Sequence, residues 1–476
     1  MRKLFCAAMI LLAVSAVAGA ADYTPATERT PLLADWESMK YGMFIHYGMS
    51  TFTGHEFGGI PAESTVYNPT NLDVEQWVRV AKEGGMKYIV LTTKHCYGHC
   101  LWDSRYTDYD VATSSNKTDV VRAFVDACRK YGIKPGFYYI LGWDVHIQDK
   151  MSVEGYNAYC LAQITELLSN YGPITEMWFD IPWDLGPNTD RYLNGIYQRV
   201  KSLQPNCVVV LNQAFTDGSV VRVMPPTTHG QNTGAPEIGL WPKDINEGEH
   251  PPPPDTGHNP RIPYNGVTYY LPMETCTTLA HHWFWVDTDS LRSVRSLLES
   301  YQATVDKKAN LLLDLGPDRT GRIPEGTVRR LMELKAAIAN PSLVRPSLTF
   351  GATATASNVY NEGKEGYAPG DAVDNNSLTR WATDTGATEA WLQVDLDHVC
   401  TFDGAFISEE YNRIRSYELQ YQKPDGSWKT FYSGKTIGVN GATLEFPKTT
   451  AQVVRLNVTK AIAGPTIWDF ELYAAK

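Results

Sequence analysis

The chain has 476 residues, 43% of them hydrophobic and 20% charged, enough for about two to three domains whose cores need no disulfide or metal to form. Its formal charge of −11 argues against nucleic acid or an anionic membrane surface as partner, since both are held by clustered Lys and Arg. The 13 tryptophans and 27 tyrosines supply flat rings of the kind that sugar faces stack on.

The first residues read as an export signal. Met1-Arg2-Lys3 is basic, residues 4–17 are apolar, and Ala18-Gly19-Ala20 is a small-residue cleavage pattern. The apolar run is too short to span a bilayer as an ordinary helix, and no later stretch is long and apolar enough to do so. Cleavage near Ala20 sends the product to the periplasm or the medium. Seven cysteines then remain, an odd number and too sparse for a disulfide scaffold, so most are expected as buried thiols.

Strand and helix patterns alternate through the next three hundred residues. Strands are predicted at 41–46, 86–92, 134–141, 174–180 and 207–211. Helices are predicted at 74–83, 119–131, 153–171 and about 191–203. The sixth strand falls at 219–224 or near 238–241, in a Pro- and Gly-rich region. A seventh leads into Glu274, a helix follows over 289–306, an eighth strand covers 310–315, and a helix closes at 324–339. Eight such units predict a (β/α)8 barrel, and short alternating strands from about Ser347 onward predict an all-β sandwich. The expected division is a signal peptide at 1–20, a catalytic barrel at 21–342 and a sandwich at 343–476.

Cleaving a glycosidic bond needs one ionised carboxylate and one protonated carboxyl across a single carbon. The acids worth weighing stand at strand ends beside aromatic residues. Asp180, after Met177-Trp178-Phe179, is the first. Glu274, shortly before His282-Trp283-Phe284-Trp285, is the second, and Glu56, Asp144, Asp184 and Glu237 are weaker. Taken singly, any of these acids is more often a cap or a salt-bridge partner.

Five ordered segments resemble the retaining α-L-fucosidases, glycoside hydrolase family 29. They are Trp36-Glu37 with Lys40-Tyr41-Gly42-Met43-Phe44-Ile45-His46-Tyr47-Gly48; Leu91-Thr92-Thr93-Lys94-His95 with Leu101-Trp102-Asp103-Ser104; Phe137-Tyr138-Tyr139; Glu176-Met177-Trp178-Phe179-Asp180; and Asn310-Leu311-Leu312-Leu313. The resemblance implies Asp180 as nucleophile and Glu274 as acid/base, with no cofactor for catalysis. It implies His46, His95 and Glu56 as partners of fucose hydroxyls, and Tyr139, Trp178, Trp283 and Trp285 as pocket walls. The expected partner is a fucosylated oligosaccharide or glycoconjugate, and no nucleic acid. Two positions depart from the family: His95-Cys96-Tyr97-Gly98-His99 stands where a second histidine is usual, and Phe57 stands where a tryptophan is common. The first departure leaves two alternatives beside a fucosidase: a glycan-binding protein on an inactive scaffold, or the same mechanism on an α-L-galactoside. Cys96 and His99 also have a zinc-like spacing, although no second ligand pair accompanies them.

The tail resembles the coagulation factor 5/8 type C (discoidin-like) domains of carbohydrate-binding module family 32. The resemblance rests on Ala372-Val373-Asp374-Asn375, Thr379-Arg380-Trp381, Trp391-Leu392-Gln393-Val394-Asp395-Leu396, Arg413-Ile414 with Tyr417, and Val454-Arg455-Leu456. It implies a structural Ca2+ held by the Ala372 carbonyl, Asp374, Thr379 and Glu471, with Tyr411 or Trp381 offered to a sugar.

Overall fold

A computed structural model describes residues 22–59, 62–182, 185, 189–212, 240–249, 257–363 and 366–476, together with the backbone of two short strands, Phe215–Thr216 and Val221–Arg222. The predicted signal peptide and the weaker candidates Asp184 and Glu237 lie outside the described residues. The chain forms two compact units. One comprises residues through Thr278, Trp283–Trp285 and Ser300–Pro324; the other comprises Leu279–His282, Val286–Glu299 and Glu325–Lys476.

The first unit is a nearly closed parallel barrel. Its strands are β1 (Tyr41–Ile45), β2 (Tyr88–Lys94), β3 (Lys134–Ile140), β4 (Glu176–Asp180), β5 (Val208–Leu211), β6 (Asn246–Glu249), β7 (Met273–Thr278) and β8 (Ala309–Asp314). Hydrogen bonding runs β5-β4-β3-β2-β1-β8-β7-β6, and a single parallel bridge from Val210 to Ile245 links the ends. The sixth strand is therefore Asn246–Glu249, at neither of the two predicted places. Its sequence, Asn-Glu-Gly-Glu, carries none of the β-branched or aromatic residues that mark a strand. Pairing with Met273–Cys276 of β7 puts it in the sheet. β2 is buried along its whole length, as expected for a strand covered on both faces.

Crossover helices form where caps and apolar spacing agree. The helix α1 (Val120–Tyr131) starts at Asp119, whose side chain accepts the Arg122 N–H at 2.8 Å. It ends at Gly132 in the left-handed region, φ 65°. Val120, Val121, Phe124, Val125, Ala127 and Cys128 make its buried stripe. Next in the chain, α2 (Val153–Asn170) is capped by Ser152, which accepts the Gly155 N–H at 3.1 Å.

Side chains alternate across each strand, so every second residue enters the barrel. On β4 these are Glu176, Trp178 and Asp180. Trp178 and Tyr138 of β3 stack inside with centroids 5.4 Å apart, and Phe44 of β1 packs edge-on to Trp178 at 5.3 Å. Below them, Gly42 makes room for the Tyr88 ring. A Cβ at Gly42 would lie 2.5 Å from that ring, so no larger residue fits.

The second unit carries an antiparallel sheet: β9 (Thr353–Ala356), β10 (Trp381–Ala382), β11 (Ala390–Glu409), β12 (Ile414–Gln422), β13 (Trp428–Gly434), β14 (Ala442–Ala461) and β15 (Thr466–Ala474). The order is β10-β15-β11-β14-β12-β13, with β9 on β11. β11 bends at irregularities near Asp395/Cys400 and Phe402/Gly404, so that Leu392 and Val394 from one end share a core with Phe402, Ala405 and Ile407 from the other. Trp381 belongs to that core, fully buried with its indole N–H on the Asn358 carbonyl at 3.0 Å, and is not a loop aromatic. Tyr411 is 40% exposed. The helix expected from residue 289 begins at Val294, because Asp289 turns back to accept the N–H groups of His281 and His282. All seven cysteines of the described chain are free thiols, six of them buried.

Candidate active site

The C-terminal ends of the barrel strands bring together a set of carboxylates and rings. Asp180 ends β4. Its Oδ2 accepts the Tyr138 hydroxyl at 2.6 Å, and its Oδ1 accepts the Ile181 N–H and the Asn212 side-chain amide, each at 2.8 Å. Burial raises its pKa above the ordinary aspartate range, while the three donors and nearby His46 pull it back toward ionisation.

A second carboxyl stands beside it. The same Asn212 nitrogen reaches Oε2 of Glu249 at 3.4 Å, at the end of β6. The two carboxyl oxygens are therefore within roughly 6 Å, close to the ~5–5.5 Å that separates the acids of retaining glycosidases. Burial first, and then the charge of Asp180, push the Glu249 pKa up to about 8. One carboxyl is dressed with donors and its neighbour is held protonated, which is the division of labour that acid-assisted displacement requires.

Around this pair the rings close a small pocket. His46 follows β1. Its Nδ1 contacts Oδ1 of Asp314 at 2.8 Å, and its ring lies 5.1 Å from Trp283, 5.3 Å from Phe284 and 5.7 Å from His95. Burial raises the Asp314 pKa to about 6, opposed by the His46 contacts. His95 stacks on Tyr138 at 5.4 Å, and burial holds its pKa well below the ordinary value, so it is a neutral ring. Glu56 accepts the Trp283 backbone N–H at 2.7 Å. His46, His95, Glu56 and Trp283 thus meet at one place, and Trp178 forms the layer beneath Asp180.

Three expected roles do not match the geometry. Glu274 is fully buried at the opposite end of the barrel, where it accepts the Tyr88 hydroxyl at 2.6 Å. Its neighbour there is Glu176, itself held by the Trp36 indole N–H at 2.7 Å. Glu176 lies four residues before Asp180, about 13 Å along the strand. The reason is a matter of strand bounds: β7 begins at Met273, so Glu274 opens the strand instead of ending it. Tyr139 points out of the barrel, its hydroxyl on Gln163 of α2 at 2.7 Å; one residue of parity gives the inward role to Tyr138. Trp285 lies over the Arg319 guanidinium at 5.4 Å, and Phe284 takes the place against His46 and His95. Asn212 directly follows the apolar run of β5 but is an amide, outside the acids weighed at strand ends, while Glu249 ends a segment with no apolar run to mark it.

The altered segment separates cleanly. Cys96 packs with Tyr138, Ile140, Trp178 and Ile181 in the barrel core, while His99 turns away to Ser114, 2.8 Å from its hydroxyl. His95, Cys96 and His99 do not converge as metal ligands.

The sequence matches the Alpha-L-fucosidase family over residues 61–337 and the F5/8 type C domain over residues 353–471. It is 30% identical over 457 residues to Alpha-L-fucosidase 1 of Arabidopsis thaliana, covering 93% of this chain and 86% of that protein.

The chain belongs to the α-L-fucosidase family.

It is a glycoside hydrolase of family 29 whose barrel is followed along the chain by an F5/8 type C domain. A solved glycoside hydrolase 29 family member from an unknown rumen bacterium superposes with a TM-score of 0.53 at 25% identity, over 96% of this chain and 78% of that one. SpGH29, 24% identical, shares the fold at a TM-score of 0.53 over 96% and 99% of the two chains.

The calcium set expected in the F5/8 type C domain is not assembled. Glu471 is committed to a guanidinium: Arg295 donates from Nε at 2.9 Å and from Nη2 at 3.0 Å, and the Ser293 and Tyr473 hydroxyls add 2.7 and 2.8 Å contacts. Asp374 and Thr379, two of the expected ligands, do meet, the Thr379 hydroxyl donating to Asp374 at 2.7 Å beside the Asn376 N–H at 2.9 Å, but Glu471 is taken by Arg295. A carboxylate already neutralised by Arg does not fit a hard cation's donor set.

Proposed function

We propose that this protein is an exported hydrolase that releases terminal α-L-fucose from fucosylated oligosaccharides or glycoconjugates with retention of anomeric configuration. Asp180 attacks the anomeric carbon while Glu249 gives its proton to the departing glycosidic oxygen. In the second half, Glu249 as carboxylate takes a proton from water, and that water displaces Asp180 and frees fucose. Asp180 is suited to attack because three donors favour its charged form. Glu249 is suited to donate because burial and the Asp180 charge keep its proton on at neutral pH. His46, His95 and Glu56 offer hydrogen bonds to sugar hydroxyls, and Trp283 and Phe284 offer apolar faces to the ring and its methyl group. Export rests on the basic, apolar and small-residue pattern of the first twenty residues.

The single observation that carries this reading is the shared Asn212 amide, which holds the two carboxyls side by side. The test is a slow fluorosugar, 2-deoxy-2-fluoro-α-L-fucosyl fluoride, followed by peptide mass mapping. A stable adduct on Asp180, and α-fucose as the first product seen by NMR, are the expected results. A β-anomer, or an adduct elsewhere, overturns the assignment. Glu249→Gln should lose about 10²–10⁴-fold on substrates with poor leaving groups and much less on fucosyl fluoride, which needs no proton to depart.

A further inference from the structure

Two loops at the C-terminal end of the barrel display apolar side chains to solvent beside the pocket. Phe57 is 61% exposed, Trp143 42% and Val145 52%. Apolar residues scattered singly on a surface need no explanation, but these are gathered. A Cβ placed on Gly58 would be 3.5 Å from the Val145 side chain and 3.7 Å from Cβ of Cys96, so the two loops touch over Cys96.

The Trp143 loop is braced. It leaves β3 where the Leu141 N–H bonds the Asp180 carbonyl at 2.8 Å, and it is tied again where the Val145 N–H bonds the Cys96 carbonyl at 2.9 Å. Between these points Asp144 takes the buried Lys94 ammonium at 3.0 Å and the His146 N–H at 3.1 Å. Trp143 itself is held at φ 57°, a conformation that costs a bulky residue energy and persists only where the surroundings impose it. A core contact would not need this, and the ring is left open to solvent. Phe57 directly follows Glu56, which faces the pocket.

An enzyme that removes a terminal sugar leaves the rest of the glycan outside its pocket. The C–H face of a pyranose fits an exposed indole or phenyl ring, which offers large apolar area at little entropic cost. We propose that Trp143 and Phe57 form a binding site for a sugar of the leaving glycan and set the preference for branched or extended substrates. The proposal rests on the assignment of Asp180 and Glu249 above.

The test compares kcat/KM on a fucosylated trisaccharide with kcat/KM on α-L-fucosyl fluoride, whose leaving group reaches no second site. In Trp143→Ala the ratio of trisaccharide to fluoride should fall about tenfold or more, in Phe57→Ala about threefold or more, and Trp143→Phe should restore most of the loss. An unchanged ratio overturns the proposal, including the case in which both substrates lose equally because the loop has moved. Asp180→Ala, measured alongside, reads the underlying assignment separately: turnover kept in that variant removes the site itself, whatever the ratio does.

Discussion

Asp180 and Glu249 accept hydrogen bonds from one nitrogen, Nδ2 of Asn212, at 2.8 and 3.4 Å. They come from β4 and β6, and the residue between them follows β5. One neutral amide thus sets the spacing of the two acids and favours the charged form of the one it holds more closely.

Removing that amide should damage chemistry more than folding. A hydrogen bond to a charged group contributes about 1.5–3 kcal/mol, which corresponds to roughly 10–100-fold in rate. Asn212→Ala should lose that much in kcat/KM, with circular dichroism unchanged. Asn212→Asp should be worse, because a third carboxylate then faces the pair.

The pH dependence of kcat/KM follows from the same two groups. Glu249 must be protonated, and its pKa is pushed up to about 8, so activity should fall as pH rises through about 8. Asp180 must be ionised, and burial lifts its pKa above the usual aspartate value, so the acid limb should lie higher than that of an ordinary aspartate. Glu249→Gln should erase the alkaline limb for fucosyl fluoride. A limb that stays in place would assign it to another group.

Glu274 should prove a stability residue. Burial and Glu176 raise its pKa, and burial raises that of Glu176 to about 7. A carboxyl with a higher pKa in the folded state binds its proton more tightly there. For Glu176 this contribution is present below the unfolded value of 4.5 and is lost as pH rises through about 7, and Glu274 loses its own as pH rises through its raised pKa. The melting temperature should therefore drop between pH 5 and 7. Glu274→Gln, which mimics the protonated acid, should flatten that slope and be the more stable form at pH 8. Its activity on fucosyl fluoride should stay within a few-fold; a loss like that of Asp180→Ala would return Glu274 to the chemistry.

Within the second compact unit, the Arg295–Glu471 pair is buried, with side chains 7% and 3% exposed. Glu471→Ala leaves the guanidinium with Glu299 as remaining partner, at 2.8 Å, and should cost about 2–4 kcal/mol. A chelator should leave the melting temperature where it is. A drop of several degrees on adding EDTA, reversed by calcium, would show that Glu471 exchanges Arg295 for the ion.

Much of this protein is written in local pattern. The apolar run ending in Asp180 and the helix from Asp119 closed by Gly132 each depend on a few neighbouring residues, and each reads correctly from the chain. The resemblance to family 29 likewise pointed to His46, His95, Glu56 and Trp283, and the fold gathers these four at one place. The tertiary structure decided which acid meets Asp180. That choice depends on where β6 and β7 begin, and pairing alone fixes those points: Asn246–Glu249 is a strand only because β7 lies beside it. A side chain's face alternates with every residue, so a shift of one exchanges Tyr139 for Tyr138. A strand end misplaced by a few residues moves a carboxyl from one mouth of the barrel to the other. Composition and periodicity set the elements, while the register between strands far apart in the chain chose Glu249 over Glu274.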